Sequence, residues 1–146
     1  MSYTSSDVKE FLGVKVDRLQ DWVNRGYVTP SIQQASGQGT KNLYSRDDLI
    51  LIALFRKLVN RDSTRDAAGR IIKAIRHCGE PFSDFFLFAE DIHGPDSIGI
   101  TEYHHVGRML TVGDLGTAID ALHGDFDTAM VISLKRIADL VDSKIG

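Results

Sequence analysis

The sequence predicts a mainly α chain with a small β component, in two parts: residues 1–78, and a small α+β unit over 79–146. Three observations carry this. Apolar residues recur at spacings of three and four through most of the first part. Cys78-Gly-Glu-Pro81 must stop a helix and lets an extended segment begin. Beyond it the apolar residues gather in short runs of β type, beginning with Phe85-Phe-Leu-Phe-Ala89.

The elements follow in order. Ser5 or Ser6 is placed to cap a short helix to Leu12, and Gly13 to end it. A second helix is expected from about Val16 to Arg25, closed by Gly26, with Val16, Leu19, Trp22 and Val23 as its apolar stripe. Trp22 belongs to the core on this reading. Only a short turn around Gly13 separates the two helices, the signature of a helix-turn-helix. Tyr27-Val-Thr-Pro-Ser-Ile32 and Asn42-Leu-Tyr-Ser45 flank a polar stretch containing Gly37-Gln-Gly39. They read as two short strands joined by a flexible tip, which is a wing.

Ser45 with Asp48 makes a capping-box signal, using Asp where Glu is more usual. It opens a core helix, Leu49-Ile-Leu-Ile-Ala-Leu-Phe55, continuing to about Asn60. Ser63 with Asp66 repeats the signal before a fourth helix carrying Ala67, Ala68, Ile71, Ile72 and Ile75 on one side. After Pro81 a buried strand at Phe85–Ala89 and a looser one from Ile98 to Val106 are expected. Leu115, Ile119 and Leu122 mark a short helix ending at Gly124, and Met130-Val-Ile132 a third strand. A last helix, Ser133 to Ile145, carries Leu134, Ile137, Leu140 or Val141, and Ile145 on a stripe that suits core packing or a dimer interface.

Charge separates the same two parts. The net charge of −3 conceals +5 over residues 1–78 and −8 over 79–146. Such asymmetry suits a half that faces nucleic acid and a half held away from phosphate, although two ordinary solvated surfaces would give the same balance. No stretch approaches the roughly 20 apolar residues of a membrane span, and no signal peptide is visible. The single cysteine, Cys78, excludes an internal disulfide. These features read as a cytoplasmic chain without membrane association.

A helix entering a major groove needs polar side chains on its outward face. On the second helix these are Lys15, Asp17, Arg18, Gln20, Asp21, Asn24 and Arg25. Lys15, Arg18 and Arg25 suit phosphates or guanine edges, and the amides of Gln20 and Asn24 suit adenine. Asp17 and Asp21 repel phosphate and at most accept from cytosine amino groups. A solvated helix face explains the same residues. The attached wing favours the binding face, since Gln38, Thr40, Lys41 and Asn42 beside a glycine-rich tip offer one cation and backbone N–H groups to a DNA backbone. An ordinary flexible hairpin is the alternative there. Tyr44 suits either a phosphate contact through its hydroxyl or a buried anchor for the wing.

Tyr3-Thr4, Val8-Lys-Glu-Phe-Leu-Gly-Val14, Leu19-Gln-Asp-Trp-Val-Asn-Arg-Gly-Tyr-Val-Thr-Pro30 and Leu43-Tyr-Ser-Arg-Asp-Asp-Leu49 together resemble the DNA-binding domain of MerR-family regulators. The resemblance covers about residues 1–78 and is closest to a subgroup with a longer, Gly-rich wing. It implies a winged helix-turn-helix that binds double-stranded DNA as a homodimer, located on the nucleoid and acting on RNA polymerase by distorting promoter DNA. Two departures stand out. Gln20 and Asp21 replace an Arg and a Tyr common in the family, which implies a weaker phosphate grip. Lys15 stands where a small hydroxyl residue often caps the second helix. Many relatives dimerise through a long helix after this domain, and here Gly79-Glu-Pro81 cuts that helix short, so residues 79–146 are expected to form the dimerisation or effector unit.

Other sites carry less. His104 and His105 are adjacent on an expected strand, so their rings point to opposite faces. With His77, Cys78 and His93 they lack the spaced pairs of a zinc site, and no metal or cofactor is expected. Cys78 reads as a small buried residue at a helix end. Asp84, Glu90, Asp91, Asp96 and Glu102 show no spacing that selects an acid pair, and Gly113-x-x-Gly116 and Gly37-x-Gly39 are too short for phosphate loops. No enzyme activity is expected. Two further readings stay open: a chromosome-architectural or excisionase-like DNA-binding role, and a protein-interaction adaptor that has lost DNA binding, which Gln20 and Asp21 favour.

Overall fold

Thr4 sets where the first helix begins. In the computed structural model, which describes residues 1–61, 63–79, 81–93, 102–122 and 128–146, helix α1 spans Ser5–Leu12. The Thr4 hydroxyl accepts the Asp7 N–H at 3.2 Å, while the Thr4 N–H donates to the Asp7 carboxylate at 2.9 Å. The cap is therefore Thr4 and neither Ser5 nor Ser6, because only Thr4 has an acidic residue three positions on to complete the reciprocal pair. Gly13 ends the helix at φ 70, a left-handed conformation that suits glycine, and its N–H donates to the Lys9 carbonyl.

Helix α2 spans Val16–Asn24 and buries Leu19 and Trp22. Val16, in its first turn, is 42% exposed, so the covered stripe is narrower than the apolar spacing suggests. Trp22 meets Phe55 edge-on at 4.8 Å between ring centroids, and Tyr27 stacks on Phe55 at 5.3 Å. Phe55 belongs to α3 (Arg46–Asn60), in which every residue from Asp48 to Phe55 is buried. A helix apolar on nearly all sides is the centre of a core, and each large side chain enclosed there contributes roughly 1.5–3 kcal/mol.

Asp48 closes the expected capping box on α3 with Ser45. It does more than cap: the same carboxylate oxygen accepts the Ser31 N–H at 2.8 Å and the Ser31 hydroxyl at 2.7 Å. One buried carboxylate thereby joins the root of the wing to the start of the central helix. Helix α4 spans Arg65–Cys78, and its first turn is capped by Thr64, which accepts the Ala67 N–H at 3.0 Å. The expected Ser63–Asp66 pair does not form as a cap, since Asp66 accepts the Tyr27 hydroxyl at 2.9 Å. Gly69 makes room for that tyrosine. A Cβ there would stand 2.9 Å from the Tyr27 ring, which explains a glycine inside a helix.

The wing departs from the expected pair of strands. Leu43 bridges Gln33, and Tyr44 bridges Tyr3 at the N-terminus, each as an isolated antiparallel bridge. Residues 31–41 are exposed throughout, so no buried face specifies a longer ladder.

The chain forms two compact units, Met1–Lys73 with Arg136–Gly146, and Ala74–Lys135. Helix α6 spans Leu134–Ile145, and its Ile137 and Val141 are 7% and 0% exposed. Core packing therefore accounts for that part of the expected stripe, while Leu140 is 40% exposed. Within the first unit, Asp142 of α6 takes two hydrogen bonds from the Arg46 guanidinium, at 2.6 and 2.8 Å.

The second unit holds an antiparallel sheet in the order β2-β1-β3, from β1 (Phe85–His93), β2 (Glu102–Leu110) and β3 (Thr128–Ser133). Leu87, Leu110 and Ala118 form a buried cluster joined by Phe85, with Ala118 supplied by α5 (Leu115–Leu122). The start expected for the second strand at Ile98 and the helix end expected at Gly124 lie outside the described residues.

Candidate nucleic-acid interface

Lys15, Asp17, Arg18, Gln20, Asn24 and Arg25 are all exposed, and Asp21 is half-buried. They share α2 and its ends, which Leu19 and Trp22 fix to the core from the other side. Their partners differ. Gln20 donates from Nε2 to Asn24 Oδ1 at 2.9 Å, so the two amides are preset as a pair. Asp21 is held by Arg25 at 3.0 Å and lies 3.9 Å from Arg65. The hydrogen bond and charge of Asp21 raise the Arg25 pKa further above its ordinary value. Two cations thus offset the carboxylate that would otherwise repel phosphate. Asp17 accepts the Arg18 N–H at 2.9 Å, and the Arg18 guanidinium lies 5.5 Å above the Trp22 ring.

The wing uses most of its polar groups on itself. Asn42 is 8% exposed and accepts the Ala35 N–H at 2.8 Å, with its amide 3.5 Å from Gln20 Oε1. Gln33 donates to the Lys41 carbonyl at 2.8 Å. Thr40 accepts the Ser36 N–H and donates to the Gly37 carbonyl, both at 2.8 Å, closing the tip. Tyr44 is 0% exposed, its hydroxyl enclosed beside Ser5 and Asn42 without a hydrogen bond of good geometry, and burial raises its pKa. Of the two roles its residue type allowed, this geometry is that of an anchor. Gln38 and Lys41 are exposed, and the Lys41 ammonium has no partner among the described residues. The α2 residues, Gln38 and Lys41 are thus left largely exposed, while Asn42 and Tyr44 turn inward.

A family model described as MerR HTH family regulatory protein matches residues 3–75, half of the chain. The chain belongs to the MerR HTH family. It is a DNA-binding transcription regulator. Comparison with curated proteins finds no significant match.

In this MerR-family chain the turn between α1 and α2 borders a cleft of about 530 Å³. Lys15 and Arg18 line it from α2, and Arg56 and Asn60 from α3. Arg56 also donates to the Leu12 carbonyl at the end of α1. Sequence reasoning did not single out Arg56 and Arg65, since both lie on other helices, 34 or more residues away from the α2 positions they approach. Their charge alternating with apolar residues was the available signal.

The remaining candidates stay apart from this surface. Cys78 is exposed, not buried, because it closes the last turn of α4, and its thiol lies 3.5 Å from the Gly107 carbonyl. The side chains of His93, His104 and His105, and those of Asp91, Asp96 and Glu102, lie outside the described residues. Among the described residues no helix is long and apolar enough to cross a membrane.

Proposed function

We propose that this regulator binds double-stranded DNA with sequence preference as a homodimer, with α2 in the major groove and the wing against flanking backbone. One observation carries the reading: Lys15, Arg18, Gln20, Asn24 and Arg25 are all exposed on and beside a helix whose Leu19 and Trp22 are buried in the core. Lys15 and Arg18 engage phosphate or guanine edges, and the Gln20–Asn24 amide pair suits adenine. Lys41, Gln38 and the backbone of the tip meet phosphate, with Thr40, Asn42 and Tyr44 supporting the tip from within. Asp17 and Asp21 would at most accept from cytosine amino groups.

A single winged helix reads one half-site, so a two-fold dimer is the economical way to read a palindrome. Residues 1–78 serve as the DNA-binding part and the acidic residues 79–146 as the part that pairs subunits. In support, Val106 on β2 and Met130 and Val131 on β3 are 39%, 38% and 41% exposed on the outer strands of the sheet. RNA polymerase is the partner through which such a dimer would act, on the nucleoid in the cytoplasm.

The test is selection of fragmented genomic DNA on the purified protein at about 0.15 M salt, followed by sequencing. A few sharply enriched sites sharing a palindrome are expected. Diffuse enrichment would favour an architectural role, and no retention down to about 0.05 M salt would leave an interaction adaptor.

A further inference from the structure

The start of α2 differs chemically from the starts of the other capped helices. Thr4, Ser45 and Thr64 each accept a first-turn N–H at their helix, whereas Lys15 at the start of α2 supplies no side-chain acceptor. The Arg18 N–H is met by Asp17, and Leu19 is the first residue to bond back along the helix, to the Lys15 carbonyl. The N–H groups of Val16 and Asp17 are left for an outside acceptor, at the positive end of the helix dipole.

Lys15 and Asp17, which flank those groups, line the cleft of about 530 Å³ described above. A second, independent feature lies in its wall. Trp22 lines the cleft and is 1% exposed, yet its indole N–H has no hydrogen-bond partner among the described residues. A buried donor without an acceptor is costly and points to a missing ligand atom. The charge agrees: three cations, Lys15, Arg18 and Arg56, line the cleft against one carboxylate, Asp17, which accepts the Arg18 backbone N–H. Unpaired N–H groups beside an excess of cations suit an oxyanion.

We propose that this cleft holds one phosphate of the DNA backbone, clamped by Lys15, Arg18 and Arg56 over the uncapped first turn of α2. The proposal rests on the DNA-binding reading above and adds where the duplex is gripped. Lys15 and Arg18 also belong to the outward face of α2, so a phosphate seated here sets the depth and register at which that helix enters the groove. The lysine that replaces a cap thereby trades a local hydrogen bond for a contact completed only on DNA.

Trp22 is the single tryptophan, so its emission reports on the cleft directly. The experiment titrates the full chain and Lys15→Ser with a short random-sequence duplex between about 0.05 and 0.2 M salt. Serine restores a cap, so the variant is expected to unfold no earlier than the parent. It is expected to bind about five- to tenfold more weakly, with a salt slope lower by about 0.9 and without the change in Trp22 emission. Binding by Lys15→Ser with the parental slope and emission change would overturn the phosphate site while leaving DNA binding intact. Failure of the parent to bind at the lowest salt would remove the DNA reading itself. An emission change with inorganic phosphate and none with duplex would overturn it in favour of a free anion.

Discussion

Helix α2 and the wing carry similar numbers of polar side chains and use them in opposite ways. Beyond its uncapped first turn the backbone of α2 satisfies itself, so Lys15, Arg18 and Gln20 remain exposed. In the wing the isolated bridges Gln33–Leu43 and Tyr3–Tyr44 satisfy few backbone groups. The rest fall to side chains: Asn42 for Ala35, Gln33 for Lys41, Thr40 for Ser36 and Gly37. The difference teaches that a polar residue in a loop without a ladder is first a structural acceptor, and a ligand contact only after that demand is met.

The largest effect that would test this contrast lies at the wing root. Asp48 is 1% exposed and accepts from Ser31 and Ser45. Replacing it by Ala strands two backbone N–H groups, and a loss of about 3 kcal/mol or more is expected in urea unfolding. A smaller loss than 1 kcal/mol would show that the wing is not tied to α3 through this carboxylate.

Next comes Asn42→Ala, which removes the acceptor for Ala35 and is expected to lower stability by about 1–2 kcal/mol. DNA affinity should fall with it, because the tip loses its shape. An affinity loss with unchanged urea midpoint would mean that Asn42 touches DNA directly.

The smallest effect is at the Arg46–Asp142 pair, where Arg46 holds the Asp142 pKa below its ordinary 3.8. Both side chains are nearly half exposed, so the pair is worth less than about 1 kcal/mol. A depressed carboxylate adds stability above the unfolded-state value and loses it as pH falls through the lowered one. Unfolding of the parent and of Asp142→Asn should therefore differ at neutral pH and converge as pH falls below about 3.8. A difference that persists in acid would assign the effect to packing instead.

How much of this was legible in the sequence depends on range. The Ser45–Asp48 box was visible because both partners lie within one turn, and the Thr4–Asp7 box obeys the same spacing but was obscured by the neighbouring Ser5 and Ser6. The contacts that decide roles were not visible. Asp66 turns from a cap to Tyr27, 39 residues away, and Asp142 reaches Arg46 across 96 residues. Periodicity placed Leu19 and Trp22 correctly and overextended to Val16, since spacing alone does not reveal where a neighbouring element stops covering a helix. In the candidate site, residue type did not reveal that Asn42 and Tyr44 turn inward, because side-chain chemistry does not tell which backbone groups lack partners.

The most direct test of the contrast is the dissociation constant of Lys15→Ala/Arg18→Ala/Lys41→Ala on a selected duplex, beside its urea midpoint. The account predicts binding weaker by about a hundredfold, a salt slope lower by about 3, and a midpoint close to that of the parent. Parental affinity and slope in a folded triple variant would contradict it, and would leave the outward face of α2 without a role in DNA binding.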